Sequence, residues 1–534
     1  MRDFLTQLSY DAWVLPALLV IPLAGALLLI VTGSLSSDDG TLEAAPSARV
    51  IALVTFVLEF VVSMGLWWSY DPAGARWQAT FDHWWIIPWN ARLSMGIDGI
   101  SLMMVLLTTV IMPLAVLGSW TSIRTKVRSY YALMLVLTTG MLGVFVARDM
   151  LFFYLMWEIM LIPMYFMIGI WGHDRRIYSA LKFFLYTMAG SALMLVAIIY
   201  VYNQAGTFDY TKILAGLQSG AISLSSTEQL WLFLGFFIAF AIKVPLFPLH
   251  TWLPDAHVEA PTAGSVMLAS VMLKMGTYGL LRFCVPMFPN AARECAGWIV
   301  TLAIIGIVYG ALVAMVQPNM KKLVAYSSVS HLGFVVLGIF SFTQQGFDGA
   351  VYQMLAHGVS TGALFLLVGF LYERRHSLDI DAYGGVATPA PWLSTAFMIT
   401  MLASMGLPTL SNFIGEYLVL QGSSLVYFRW TVFAALGAIF AACYLLWLYQ
   451  RVFFGKASED LTHHMPDLHF REYAIIVPLI LLMVWMGSYT QSFLTPISTS
   501  NAVLLGPIDA RREVHVKATP PRIAPADREL ANAR

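Results

Sequence analysis

The sequence predicts an all-α polytopic membrane protein of about fourteen spanning helices, and three observations predict it. Hydrophobic residues fill 59% of the 534 positions and charged residues only 11%, with no net formal charge; a water-soluble globule has no way to hide so much apolar surface. The mean hydropathy is +0.74. The apolar residues are also gathered into runs of about 20 or more, the length that crosses a bilayer core of about 30 Å.

In order, the runs lie near 12–33, 48–69, 98–119, 129–147, 149–171, 178–202, 229–249, 261–285, 297–316, 322–341, 347–372, 391–421, 427–454 and 472–494. The first is longer than a signal-peptide core and has no clear small-x-small cleavage site, so it reads as a retained span. The 391–421 run exceeds one span and contains Pro408 and Gly415, and the 229–249 run carries Pro245 and Pro248. Both are expected to be broken helices. Lys and Arg collect in alternate loops: Arg124, Lys126 and Arg128, then Arg175 and Arg176, Lys321 and Lys322, Arg374 and Arg375, and Arg451, Lys456 and Arg471. Those loops should be cytoplasmic, which puts both termini on the opposite, periplasmic face. From Asp509 onward the chain is rich in Pro, Ala and charge without apolar periodicity, and is expected to hang as disordered or weakly docked tail.

Several function classes fall away. A balanced charge, with no basic stripe interleaved with aromatics, argues against a nucleic-acid partner. Cys284, Cys295 and Cys443 are scattered, with no C-x-x-C pair, so neither a disulfide framework nor an iron–sulfur cluster is expected. His463, His464 and His469 read as a solvated loop. His250, Asp255, His257 and Glu259 match no standard metal spacing. Pro254 and Pro261 bracket that stretch, and a hydrated mouth with His257 near a pathway is preferred.

Four charges sit deep in apolar runs: Glu158, Lys243, Lys274 and Glu416. Each costs about 2.5–3.5 kcal/mol at the centre of a span, so such residues are expected to be partnered, hydrated and used. Glu158, in LFFYLMWEIMLIPMYF, has apolar neighbours on every helical face. A static ion pair that merely fixes helix register is the competing reading. Lys243 precedes Pro245 by two residues, where unwound backbone admits water. Burial favours its neutral amine and an approaching carboxylate favours its ammonium, which makes the pair an adjustable proton trap. Moving a proton against roughly 150 mV costs about 3.5 kcal/mol, within the range such an arrangement supplies.

Lys274 lies in a span whose Ala263, Gly264, Ala269 and Ser270 permit close packing, which presses the lysine into the bundle. His331, with Ser327, Ser328 and Ser330 nearby, and His357, with Ser360 and Thr361, form a candidate relay, because imidazole titrates near neutral pH. Glu416, after the break in MGLPTLSNFIGEYLVLQG, is placed to receive the proton at the far side. Glu158 and Lys243 are 85 positions apart, and so are His331 and Glu416. That echo suggests a duplicated architecture.

WEIMLIPMYF, IKVPLFPLHTWLPDAHVEAPTAGSVMLASVMLKMGTYG, KKLVAYSSVSHLGF and FIGEY closely resemble the antiporter-like, proton-pumping subunits of bacterial NADH-quinone oxidoreductase, respiratory complex I, of the M type. The resemblance runs from about Ala91 to Phe454. It implies two inverted five-helix repeats with discontinuous seventh and twelfth helices, dividing the chain into 1–125, 126–290, 291–455, 456–508 and a 509–534 tail. Carried over by position, it implies an ion pair of Glu158 with Lys243, a central Lys274, relay groups His257, His331 and His357, and a terminal Glu416. Related L-type and N-type subunits, and many antiporter subunits, are expected to carry lysine at that last position.

The resemblance further implies a bacterial inner-membrane location and membrane-arm partners of the L and N types. No cofactor is expected in this chain, with FMN and iron–sulfur clusters in partner subunits. A multisubunit cation/proton antiporter and a membrane-bound hydrogenase complex are the alternative assemblies. A transporter of organic solutes is weakest, since no substrate pocket is evident.

Overall fold

The computed structural model describes residues 1–35, 45–456 and 465–518. The chain opens with α1 (Arg2–Gln7), α2 (Tyr10–Leu35) and α3 (Ala45–Ser69). A hairpin of β1 (Gln78–Ile86) and β2 (Ala91–Ile97) follows, paired antiparallel with Phe81 opposite Met95 and Asp82 opposite Ser94. It adds a feature that a search for 20-residue apolar runs passes over. Asn90 turns it in the left-handed region, where Asn is tolerated.

Next come α4 (Gly99–Gly118), α5 (Val127–Val146), α6 (Met150–Ile159), α7 (Leu161–Trp171), α8 (Arg176–Ala205), α9 (Tyr210–Ser219), α10 (Ser226–Lys243) and α11 (Trp252–Glu259). The remainder is α12 (Thr262–Met287), α13 (Pro289–Met315), α14 (Met320–Ile339), α15 (Gln344–Arg375), α16 (Pro391–Ser404), α17 (Ser411–Phe453), α18 (Phe470–Ser488) and α19 (Gln491–Ala518). This is a multi-span membrane protein. Among the described residues 12 helices are long and apolar enough to cross a bilayer. The other two expected runs fall on α10, which ends at Lys243, and on α16 with the start of α17; α17 itself is two helices joined across a kink at Tyr427, where φ −128° and ψ 49° are non-helical.

The windows of α12 and α15 are wholly buried, whereas those of α3 and α18 are only a third buried. The middle of the bundle is therefore α4, α12, α14 and α15, and the outer helices show apolar side chains to lipid. Both expected breaks are present. After α10 the chain turns through residues 244–251, and after α16 it turns through residues 405–410 before α17 begins.

Other buried charges stand outside the four singled out. Arg282 pairs with Asp98 at 2.6 Å, both almost fully enclosed, and Arg374 pairs with Glu472 at 2.7 Å. The expected loose tail from Asp509 is corrected in part. The α19 backbone stays helical to Ala518, since Ala, Arg, Glu and Lys are good helix formers even without an apolar stripe. His463, His464 and residues 519–534 lie outside the described residues. His469 caps α18 in a reciprocal pair of hydrogen bonds with Glu472.

Candidate functional site

Glu158 owes its position to the start of α6, where the Asp149 side chain accepts from Leu151 N at 2.9 Å and Phe152 N at 3.0 Å. Burial pushes the Asp149 carboxyl up to about 6, although backbone N–H groups of Phe152, Arg92 and Leu151 donate to it. Glu158 itself is half-buried, and its Oε1 is enclosed without a hydrogen-bond partner among the described residues.

Lys243 is the last residue of α10 and is fully buried. Pro245 cannot donate, and Leu246 N reaches back to Ala241 O at 2.9 Å, while Trp252 Nε1 donates to Ile242 O at 2.8 Å. Backbone groups freed by the break are thus satisfied, as burial requires. The ammonium is not. Lys243 Nζ has no hydrogen-bond partner among the described residues and faces the rings of Trp157 at 5.6 Å and Phe183 at 5.2 Å. Glu158 acts on it electrostatically, but the contact expected between the two is open.

Two π turns, Leu268–Met272 and Leu280–Cys284, interrupt α12, and Lys274 projects between them with Ala269 O as an acceptor. At Gly276 a Cβ would lie 2.9 Å from Phe240 O, so only glycine lets α12 approach α10 this closely. Lys274 Nζ is 2.6 Å from His357 Nδ1. An ammonium there donates to Nδ1, which fixes His357 as the Nε2–H tautomer. His357 and His331 have ring centroids 5.7 Å apart. His331 Nδ1 lies 2.7 Å from Glu416 Oε1, with both side chains buried.

The second break carries Gly406 at φ +83°, a backbone state that glycine adopts without strain. Past it, α15 and α17 pack nearly backbone to backbone, since a Cβ on Gly415 would sit 2.8 Å from Gln353 Cα. That approach lets Gln353 Nε2 donate to Glu416 Oε1 at 3.0 Å. Tyr444 Oη stands 3.4 Å from His331 Nε2, and Ser360 donates to Asn412 Oδ1 at 3.1 Å.

Lys274, His357, His331 and Glu416 are therefore brought into one buried row, while Lys243 Nζ and Glu158 Oε1 have no hydrogen-bond partner among the described residues. His257 hydrogen-bonds to none of these four, although it lies within electrostatic reach of Lys274 and His357. It stacks on Phe365 at 4.6 Å, and neither ring nitrogen has a partner among the described residues. Its sequence neighbours diverge: Asp255 pairs with Lys182 at 2.7 Å, His250 stacks on Phe247, and Glu259 accepts from Arg175 N. Ser327 and Ser328 donate to Val324 O and Ser330 to Ile307 O, so these hydroxyls bond to backbone and not to the histidines. Gln353, Asn412 and Tyr444 were not anticipated. Gln353 was findable, as a polar residue one turn before His357 in an apolar run; Tyr444 gives no signal in the sequence.

A family model described as NADH:quinone oxidoreductase/Mrp antiporter, transmembrane, matches residues 147–441. The chain belongs to this family. A relative within the family, NADH-quinone oxidoreductase subunit M of Rhodobacter capsulatus, is 46% identical over 476 residues, covering 88% of this chain and 92% of that one. A chain of respiratory complex I from Thermus thermophilus superposes with a TM-score of 0.81 at 32% identity, over 92% of this chain and 100% of that one. A chain of the Mrp complex from Dietzia sp. shares the fold at a TM-score of 0.78 and 18% identity, over 94% and 99%.

Proposed function

We propose that this family member is a proton-translocating membrane-arm subunit of a respiratory NADH:quinone oxidoreductase, in a bacterial inner membrane with both termini periplasmic. The reading is carried by the buried row in which Lys274 meets His357 and His331 meets Glu416. NADH oxidation and quinone reduction take place in partner subunits holding FMN and iron–sulfur clusters, and L-like and N-like subunits flank this chain.

In this reading Glu158 and Lys243 form a switchable pair. When the carboxylate stands near, the ammonium form of Lys243 is favoured; when it withdraws, the desolvated amine is favoured and the proton leaves. Lys274 takes the proton and donates it to His357 Nδ1. The His357 ring then turns and passes the proton from its Nε2 to His331, which accepts at Nε2 and gives up the proton on Nδ1 to Glu416. Gln353 orients the receiving carboxylate, Tyr444 holds the His331 ring by its far nitrogen, and His257 supplies protons from the mouth beside the first break.

Glu158→Ala or Lys243→Ala, each in an assembled complex, should abolish proton pumping and slow coupled NADH:quinone turnover. Full coupled activity in either variant contradicts the proposal. Mass spectrometry of the native complex in mild detergent tests the partners: flavin and iron–sulfur proteins support this reading, and small antiporter subunits alone support a cation/proton antiporter.

A further inference from the structure

The helix α3 lies outside both halves of the buried row, yet it carries a carboxyl at mid-membrane. Glu59 is fully buried, and neither of its oxygens has a hydrogen-bond partner among the described residues. It lies ten residues before Ser69, the end of α3. At 1.5 Å per residue that is about 15 Å, half the thickness of a bilayer core of about 30 Å. It occupies one stripe with Ala52, Phe56, Ser63 and Leu66, all buried, on a helix that packs against α2, α4 and α5.

An ionised carboxylate without a cation or donor is too costly in such a place, and the group takes up a proton instead. Among the described residues the surrounding elements offer no counter-charge at its depth. Arg49 sits ten residues away on α3 and bonds to Ile123 O. Tyr10 and Asp11 are at one end of α2, Arg128, Tyr130 and Tyr131 at one end of α5, Arg2 and Asp3 on α1, and α4 has Asp98 only at its cap.

Polar groups lead away from Glu59 on one side. One turn on, Ser63 Oγ and Thr109 Oγ1 are 2.7 Å apart, and Pro113 inside α4 leaves Thr109 O without its helical donor. Further along the same face, Tyr70 Oη approaches Ser500 Oγ at 3.5 Å, and Ser500 accepts from Gly99 N at 2.8 Å. In the other direction Phe56, Ala52 and Ala48 are apolar.

We propose that Glu59 is an additional proton-binding site, a neutral carboxylic acid that exchanges its proton with the hairpin end of the bundle past Ser63 and Thr109. The ligand is a proton, and the site stands whether or not Lys274 and its neighbours carry protons through the membrane.

Infrared spectra of the whole complex in lipid membranes, wild type minus Glu59→Gln, test it. The expected result is a carboxylic C=O stretching band that is absent from the variant and shifts down in D2O, with the shift slower in Thr109→Val. Retained NADH:quinone electron transfer in Glu59→Gln shows that the complex is assembled, and Glu59→Asp should restore a carboxylic band. Carboxylate bands in place of the carboxylic one, or a band that does not shift in D2O, overturn the proposal.

Discussion

At the start of α6, Met150 N donates to Phe208 O and Tyr210 N to Arg148 O, both at 2.9 Å; at the start of α14, Met320 N donates to Leu378 O at 2.9 Å and Ile380 N to Pro318 O at 2.8 Å. Asp149 faces Asp209 in the first bridge and Asn319 faces Asp379 in the second. The two breaks match as well: Leu246 N reaches Ala241 O as Leu407 N reaches Leu402 O. Against this shared backbone plan the titratable groups differ. Lys243 closes the helix before its break, whereas Glu416 lies on the helix after its break. Lys243 and Glu158 carry enclosed atoms without hydrogen-bond partners among the described residues, whereas Glu416 is held by His331 and Gln353. The same frame thus holds a loose pair in one half and a fixed pair in the other. In the proposed function the loose pair responds to a moving counter-charge and the fixed pair receives the proton.

The largest effect is expected at the junction of the halves. Lys274→Ala removes the group bonded to His357 and should cut proton translocation by at least about tenfold, or about 1.4 kcal/mol in barrier terms, measured as acidification rate in reconstituted vesicles. The next test separates fixed from loose. Glu416→Ala strips His331 and Gln353 of a buried acceptor and should destabilise the subunit by about 2–3 kcal/mol, whereas Glu158→Gln should change stability by less than about 0.5 kcal/mol, both read from thermal unfolding of the detergent-solubilised complex. Equal losses would dissolve the contrast.

A smaller effect separates the histidines. His257→Phe preserves the stack on Phe365 and gives up no side-chain hydrogen bond among the described residues, so the complex should assemble normally and lose less pumping than with His357→Ala, which strands Lys274. The most local effect, read in a single helical turn, is a pH dependence at the bridges. Asp149 has its folded value raised to about 6, so its contribution to stability is present below the unfolded value and lost as pH rises through 6, by about 3 kcal/mol at most. Amide exchange in the first turn of α6, corrected for intrinsic rates, should quicken over that range. The corresponding turn of α14, capped by Asn319, should not, and Asp149→Asn should flatten the response.

Composition and run length made the membrane class and most helix positions legible, because a bilayer imposes one length and one polarity on every span. The breaks were legible through Pro245 and Pro408. Contacts across the bundle were less so. The 85-residue spacing is shared by His331–Glu416, which touch, and by Glu158–Lys243, which do not hydrogen-bond; the spacing is the same and only packing, as at Gly415 against Gln353, decides which pair closes. The hairpin and α19 escaped because neither is an apolar run of spanning length. Glu59 escaped although VIALVTFVLEFVVSMGLWW shows it in mid-run, and Arg282 because it lies near the end of one.

The central claim is that Lys274 joins the loose half to the fixed half, and it is tested most directly by counting protons translocated per NADH oxidised in vesicles containing the assembled complex with Lys274→Met. A lower count than wild type, with NADH:quinone electron transfer still measurable, is the predicted result. A wild-type count would show that protons cross without this residue and would contradict the account.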